Sequence, residues 1–222
     1  MIKCTNMSFA FDDHVIFSEI NLSVEKGEFV YFVGETGCGK TTLMRLLYMD
    51  LLPTSGLVKV DTFSSSSLKK RKLHILRRKL GIIFQDYKLL HDRSVFDNIT
   101  FALQAVGYSG KETKMAATQA LTQVGLIHKK NSPIGELSGG EQQRLSIARA
   151  IAKAPLAILA DEPTGNLDPV TSEDILTLLK KINLSGTTVL LATHNYELIK
   201  KFPSRTVAIR DYRCGDIDPL TL

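Results

Sequence analysis

The sequence of 222 residues predicts an α/β protein built on a mostly parallel sheet. Three observations predict it. Short, unbroken apolar runs such as "FVYFV", "LAILA" and "TVLLA" recur along the chain, and helical patterns separate them. The stretch "GETGCGKTT", Gly34 to Thr42, falls between one such run and the helix after it. Strands buried on both faces read as continuous apolar runs, and helices between them supply parallel crossovers.

Taken in order, "EFVYFVG" is a strand, "KTTLMRLLYMDLL" the helix after it, stopped by Pro53, and "SGLVKV" a further strand. Phe63 to Ser67, "FSSSS", reads as a flexible loop. Leu73, Leu76 and Leu80 define one face of a basic amphipathic helix over Leu68–Leu80, and "GIIFQ" follows as a strand. From Asp97 to about Ala152 the pattern is helical, with Ala117, Leu121 and Val124 on one face, so this region reads as an insertion into the sheet. Strand patterns return at "LAILA", "TVLLAT" and "TVAIR", with "TSEDILTLLKKIN" as a helix between the first two.

Hydrophobic content of 44% and charged content of 23% are ordinary for a globular chain, and 222 residues can bury a substantial core. The opening "MIKCTNMSFAF" has no signal-peptide apolar region, and no apolar run approaches a membrane span, so a cytosolic chain is expected. Cys4, Cys38 and Cys214 are far apart and lack CxxC spacing, which points to reduced thiols rather than disulfides or zinc. The net charge of +5 is local: Leu68–Leu80 holds seven Lys or Arg and no acid. That face is either solvated or held against anionic lipid headgroups; nucleic acid ranks behind both, because no aromatic residue interleaves with the charges.

"GETGCGKTT" satisfies the G-x-x-x-x-G-K-[ST] pattern in the strand-to-helix context that the pattern requires. Its glycines let backbone N–H groups curl around phosphate oxygens at a helix N-terminus. Phosphate binding is therefore expected of Gly34, Glu35, Thr36, Gly37, Cys38, Gly39, Lys40, Thr41 and Thr42, with Lys40 on the β- and γ-phosphates and the Thr41 hydroxyl on Mg²⁺. "LAILADEPTGNLD" ends an apolar strand in two carboxylates at the edge where open α/β sheets bind ligands. Asp161 suits a Mg²⁺ partner through water, and Glu162 suits the base that polarises the attacking water; taken alone, the pair could equally cap the next turn. Gln85 and His194 close two further strands. Each is either a satisfied structural residue or, beside a phosphate loop, a nucleotide contact: Gln85 on the metal and attacking water, His194 on the γ-phosphate.

In "LSGGEQQRLSIARA", Ser138 and Glu141 have the spacing of a capping box. Gly139 and Gly140 between them each cost about 1 kcal/mol in a helix, so something must make side chains unwelcome there.

Together these motifs resemble the ATP-binding domains of the ABC (ATP-binding cassette) family, and the resemblance covers nearly the whole chain. It implies a P-loop core of about 1–86 and 153–222 with an N-terminal antiparallel β subdomain, and an inserted helical subdomain of about 87–152. "LSGGEQQ" is similar to the family's signature sequence, which implies that Ser138, Gly139, Gly140 and Gln142 meet the γ-phosphate of ATP bound to a second copy. The cofactors implied are ATP and Mg²⁺, and the assembly an ATP-dependent homodimer. Asn166, Leu167 and Asp168 match the loop that crosses between subunits, and Phe11 matches the aromatic that stacks on adenine, where tyrosine is more frequent. Asn195 after the switch histidine, where the family often has aspartate, and Thr41 in place of serine are mild departures.

A cassette without its own membrane span implies an integral membrane partner, with the cassette peripheral at the cytoplasmic face of the bacterial inner membrane. "FQDYKLLHDRSVFDNI" resembles the cell-division branch, linked to control of cell-wall hydrolases, more than the branches for lipoprotein release or macrolide export. Glu162 and His194 favour a hydrolysing ATPase over a nucleotide-dependent scaffold.

Overall fold

The computed structural model describes residues 1–221, the side chain of Lys70 excepted. Leu222, the last residue of the expected domain, lies outside the described residues. Two sheets are present. The first is antiparallel, in the order β2 (His14–Val24), β1 (Ile2–Phe11), β4 (Ser55–Val60), β5 (Phe63–Ser64). The second has the order β10 (Arg213–Ile217), β9 (Arg205–Arg210), β3 (Phe29–Val33), β8 (Thr188–Ala192), β7 (Ala157–Asp161), β6 (Leu80–Ile83). All of its pairings are parallel except β9 with β10.

The unbroken apolar strands work as expected of a sheet covered on both faces. Successive side chains of a strand point to opposite faces. In β3, Phe29, Tyr31 and Val33 enter one core, and Val30 and Phe32 enter the other. The first core is shared with α3 (Val95–Ala105), α4 (Gly110–Gln123), α5 (Gly139–Ile151) and α6 (Pro169–Leu184). The second core lies between the parallel sheet, α1 (Lys40–Leu47) and the antiparallel sheet, whose Ile2, Cys4, Met7 and Phe17 are fully buried. The helices α3 to α5 fall between β6 and β7, as the helical pattern predicts. No described helix is long and apolar enough to cross a membrane.

Three local expectations are corrected. The basic segment is a short 3-10 turn, Lys70–Lys72, followed by α2 (Leu73–Arg78), not one helix to Leu80. Leu80 instead opens β6 opposite Ala157, because pairing that buries Leu80 completely outweighs another helical turn. Phe63 and Ser64 pair with Val60 and Lys59, so the serine-rich stretch begins as an edge strand rather than as pure loop. The helix after the phosphate loop stops at Leu47, five residues short of Leu52: Met49 turns left-handed (φ 55°), and Asp50 folds back to Arg45. Helix α7 (Tyr196–Lys201) is the last α-helix among the described residues and precedes β9.

Candidate functional site

Parallel pairing of β6, β7, β8 and β3 brings their carboxyl ends to one edge, where the loops carrying Gln85, Glu162, His194 and the phosphate loop emerge. The phosphate loop leaves β3 at Gly34 and enters α1 at Lys40. Gly39 precedes the helix at φ 106°, where a Cβ would lie 2.8 Å from Ile16 Cγ2 and 2.9 Å from Phe17 Cζ. Both backbone conformation and crowding by β2 therefore require glycine. No side chain caps α1, so its first N–H groups are free for an anion. Lys40 is only 8% exposed; its Nζ donates to the carbonyls of Gly34 (2.8 Å) and Glu35 (3.1 Å) and lies 3.8 Å from Glu162 Oε1. A cation buried this far needs such partners.

Asp161 ends β7 with one carboxylate oxygen, Oδ1, buried and without a hydrogen-bond partner. Burial raises its pKa; a side-chain hydrogen bond from Thr41 and the charge of Lys40 act the other way. An unsatisfied buried acceptor costs about 1–3 kcal/mol. That orphan carboxylate oxygen fits an oxygen-preferring divalent cation such as Mg²⁺. Glu162 follows in the left-handed conformation (φ 47°), which costs an L residue about 1–2 kcal/mol. Its N–H donates to Ala192 O at 2.9 Å, and its Oε1 lies 3.0 Å from His194 Nδ1. Lys40, Glu162 and His194 thus form one contiguous cluster, with Asp161 adjacent to Glu162 in sequence.

Neither Gln85 nor His194 closes its strand: each lies two residues beyond, in the loop after β6 and β8. Gln85 Nε2 lies 3.3 Å from where a Cβ would stand on Gly165, and Asn166 Nδ2 donates to the Gln85 carbonyl at 3.4 Å. Phe11, 43% exposed, packs edge-on to Phe9 and pairs with His14 at the tip of the β1–β2 hairpin. His14 and Ile16 line a cavity of about 200 Å³ with Gly37 and Cys38, so the hairpin flanks the phosphate loop.

The capping box is present: Ser138 N–H donates to Glu141 Oε2 at 2.8 Å, and Glu141 N–H donates to Ser138 Oγ at 3.3 Å. Gln142 Nε2 donates back to Leu137 O at 3.1 Å. The two glycines differ. A Cβ on Gly140 would stand 2.6 Å from Thr171 Cγ2 of α6, whereas one on Gly139 would meet nothing closer than 3.5 Å. Packing against Thr171 accounts for Gly140, and no contact among the described residues accounts for Gly139. Among the described residues, no hydrogen bond or ion pair joins Ser138–Gln142 to the phosphate loop. The sequence reasoning missed Arg149, whose guanidinium donates to the carbonyls of Tyr87 (2.7 Å) and Lys88 (2.5 Å) in the loop carrying Gln85. Its signal was a charge inside the apolar "IARAIA".

Residues 17–165 match the family described as ABC transporter. The chain belongs to that family. This ABC cassette is an ATPase by family. It is 47% identical over 191 residues to the cell division ATP-binding protein FtsE of Mycobacterium tuberculosis, covering 86% of this chain and 83% of the relative. Identity to FtsE of Streptococcus pneumoniae is 45% over 194 residues (87% and 84% covered). For FtsE of Escherichia coli it is 43% over 193 residues (86% of each). Among solved structures, the ADP- and Pi-bound post-hydrolysis dimer of the cassette MJ0796 superposes with TM-score 0.86 at 32% identity, covering 99% of both chains. A second dimeric structure of the same bacterial ABC transporter cassette gives 0.87 at 33%, again covering 99% of both.

Proposed function

We propose that the cassette is the ATP-hydrolysing subunit of an FtsEX-like complex, closing as an ATP-dependent homodimer and passing that motion to an FtsX-like integral membrane protein in bacterial cell division. It works from the cytoplasmic face of the inner membrane and controls cell-wall hydrolysis through the partner. The observation that carries this reading is the identity of 43–47%, over more than four fifths of both chains, to cell division ATP-binding proteins. The core lobe, about 1–86 and 153–222, binds ATP; the helical lobe, about 87–152, presents Ser138 to the second copy.

ATP enters with its adenine on Phe11 and its phosphates on the open N-terminus of α1. Lys40 exchanges the Gly34 and Glu35 carbonyls for phosphate oxygens. Two copies facing each other across a two-fold axis enclose two ATP molecules, each between Gly34–Thr42 of one chain and Ser138–Gln142 of the other. Thr41, Gln85 and, through water, Asp161 would hold Mg²⁺, which would supply charge neutralisation at the phosphates. Glu162 takes the proton of the attacking water, and His194, 3.0 Å from it, orients the carboxylate and reaches the γ-phosphate. Loss of the γ-phosphate removes the group that both surfaces share, and the dimer opens.

Purification of the tagged protein from membranes of its native cell tests the assignment. Recovery of an FtsX-like membrane protein is expected. Recovery of a lipoprotein-release or macrolide-export permease instead would overturn it.

A further inference from the structure

The loop carrying Gln85 is bolted to the helix that carries the signature sequence. Beyond β6 the backbone passes through two consecutive left-handed residues, Tyr87 (φ 58°) and Lys88 (φ 50°), neither of them glycine. Such a turn persists only where its surroundings hold it. Arg149 does so from the last turn of α5, donating from Nη2 to Tyr87 O and from Nη1 to Lys88 O. The planar guanidinium reaches the two adjacent carbonyls from two separate nitrogens held in one plane, whereas an ammonium would have to reach both from a single nitrogen. Two residues on, the fully buried Asn98 of α3 accepts from Leu90 N–H at 2.8 Å and donates to Leu90 O at 3.0 Å. On the other side the chain enters from β6, whose last residue Ile83 pairs with Ala160 of β7, and beyond that pairing Asn166 reaches the Gln85 carbonyl at 3.4 Å. Gln85 therefore sits between the end of β6 and a segment whose anchors are on the α3 and α5 helices.

We propose that Arg149 is a positioning residue that makes Gln85 follow α5. The amide serving one chain's own ATP and the Ser138 end serving the partner's ATP then move as one body, so each site is linked to the other through a single helix. This rests on the role given above to Gln85. The partner copy is needed for the linkage, but the clamp itself lies wholly within one chain.

The test is a double-mutant cycle on steady-state ATP hydrolysis with Gln85→Ala and Arg149→Ala, each checked for native melting. Arg149→Ala is expected to lower kcat about tenfold or more with KM for ATP within about twofold, because it misplaces a group without removing a phosphate contact. The double variant is expected to be no slower than Gln85→Ala alone. If Arg149→Ala slows the Gln85→Ala enzyme by the same factor as the wild type, Arg149 acts elsewhere and the proposal fails. If Gln85→Ala alone has wild-type kcat, the role of Gln85 fails first, and that outcome is distinguishable from the other. Should Arg149→Ala not fold, Arg149→Lys, which keeps the charge but gathers its donors on a single nitrogen without the planar fork, completes the same cycle.

Discussion

Replacing Gly139 and Gly140 separately by alanine distinguishes a glycine kept for the fold from one kept for a partner. Alanine in place of a helical glycine gains about 0.5–1 kcal/mol. At Gly139 the added methyl meets Leu167 Cδ2 and Tyr87 Oη at 3.5 Å, an ordinary contact, so that gain is realised. For a chain of this size, Gly139→Ala should raise the melting temperature of the nucleotide-free protein by about 1–4 °C. At Gly140 the methyl would stand 2.6 Å from Thr171 Cγ2. Overpacking costs about 1–3 kcal/mol, which exceeds or cancels the helical gain, so Gly140→Ala should melt at or below the wild-type temperature. Thr171→Ser removes the clashing methyl and should restore stability to Gly140→Ala. Dimerisation separates the two differently. A methyl at Gly139 holds the partner's phosphate off the backbone and forfeits at least one charge-assisted hydrogen bond, about 1.5–3 kcal/mol. The symmetric dimer loses that bond at both sites, so its dissociation constant should rise roughly a hundredfold to ten-thousandfold, read by sedimentation in a background that does not hydrolyse ATP. A Gly139→Ala protein that melts higher yet dimerises and turns over like the wild type would refute the reasoning.

Three further outcomes are expected. Glu162→Gln removes the proton acceptor and should lower kcat by about 10²-fold or more while ATP-bound dimer accumulates; turnover within a few-fold of wild type would show that another group accepts the proton. Alkylation of Cys38 should inhibit hydrolysis and be slowed by ATP, and it should outpace the other thiols at pH 8, because burial pushes Cys4 and Cys214 up to about 12; equal Cys38 labelling with and without ATP would contradict this. Burial pushes the Lys180 ammonium down to about 8 from an ordinary 10.5. Between those values the unfolded chain binds more protons, so Lys180 adds stability as pH rises from about 8 to 10.5; Lys153, also pushed down to about 8, acts in the same direction. Denaturant midpoints should therefore climb less with pH in Lys180→Met than in the wild type, and identical slopes would count against it.

The parallel sheet was legible because β3, β7 and β8 are buried on both faces and carry apolar residues at every position but the last of β7 and the first of β8. The antiparallel sheet was reached only through resemblance, and β1 shows why. Its buried positions run Ile2, Cys4, then Met7 and Phe9, because Asn6 turns left-handed (φ 44°) and inserts a bulge that breaks the alternation. Strand β10, "RCGDI", is too exposed and polar to announce itself. Basic and apolar residues ran on through Leu68–Leu80 with nothing local to mark where α2 gives way to β6, since that boundary is set by the pairing of Leu80 with Ala157. For the proposed site, spacing singled out Lys40, Asp161 and Glu162 because the chemistry expected of them is tied to contiguous motifs. Two things required coordinates. One is the difference between Gly139 and Gly140, which depends on a methyl of α6. The other is the grip of Arg149 on a loop about 60 residues away in sequence, which depends on tertiary packing.

The central claim is that each ATP site is completed by the signature helix of a second copy. Ser138→Arg, placed in the Glu162→Gln background, tests it most directly, with mass measured by light scattering with and without ATP and nucleotide affinity measured on the same samples. The account predicts that Glu162→Gln alone becomes a dimer on adding ATP, and that the double variant binds ATP but stays a monomer. A double variant that still dimerises with ATP would contradict it.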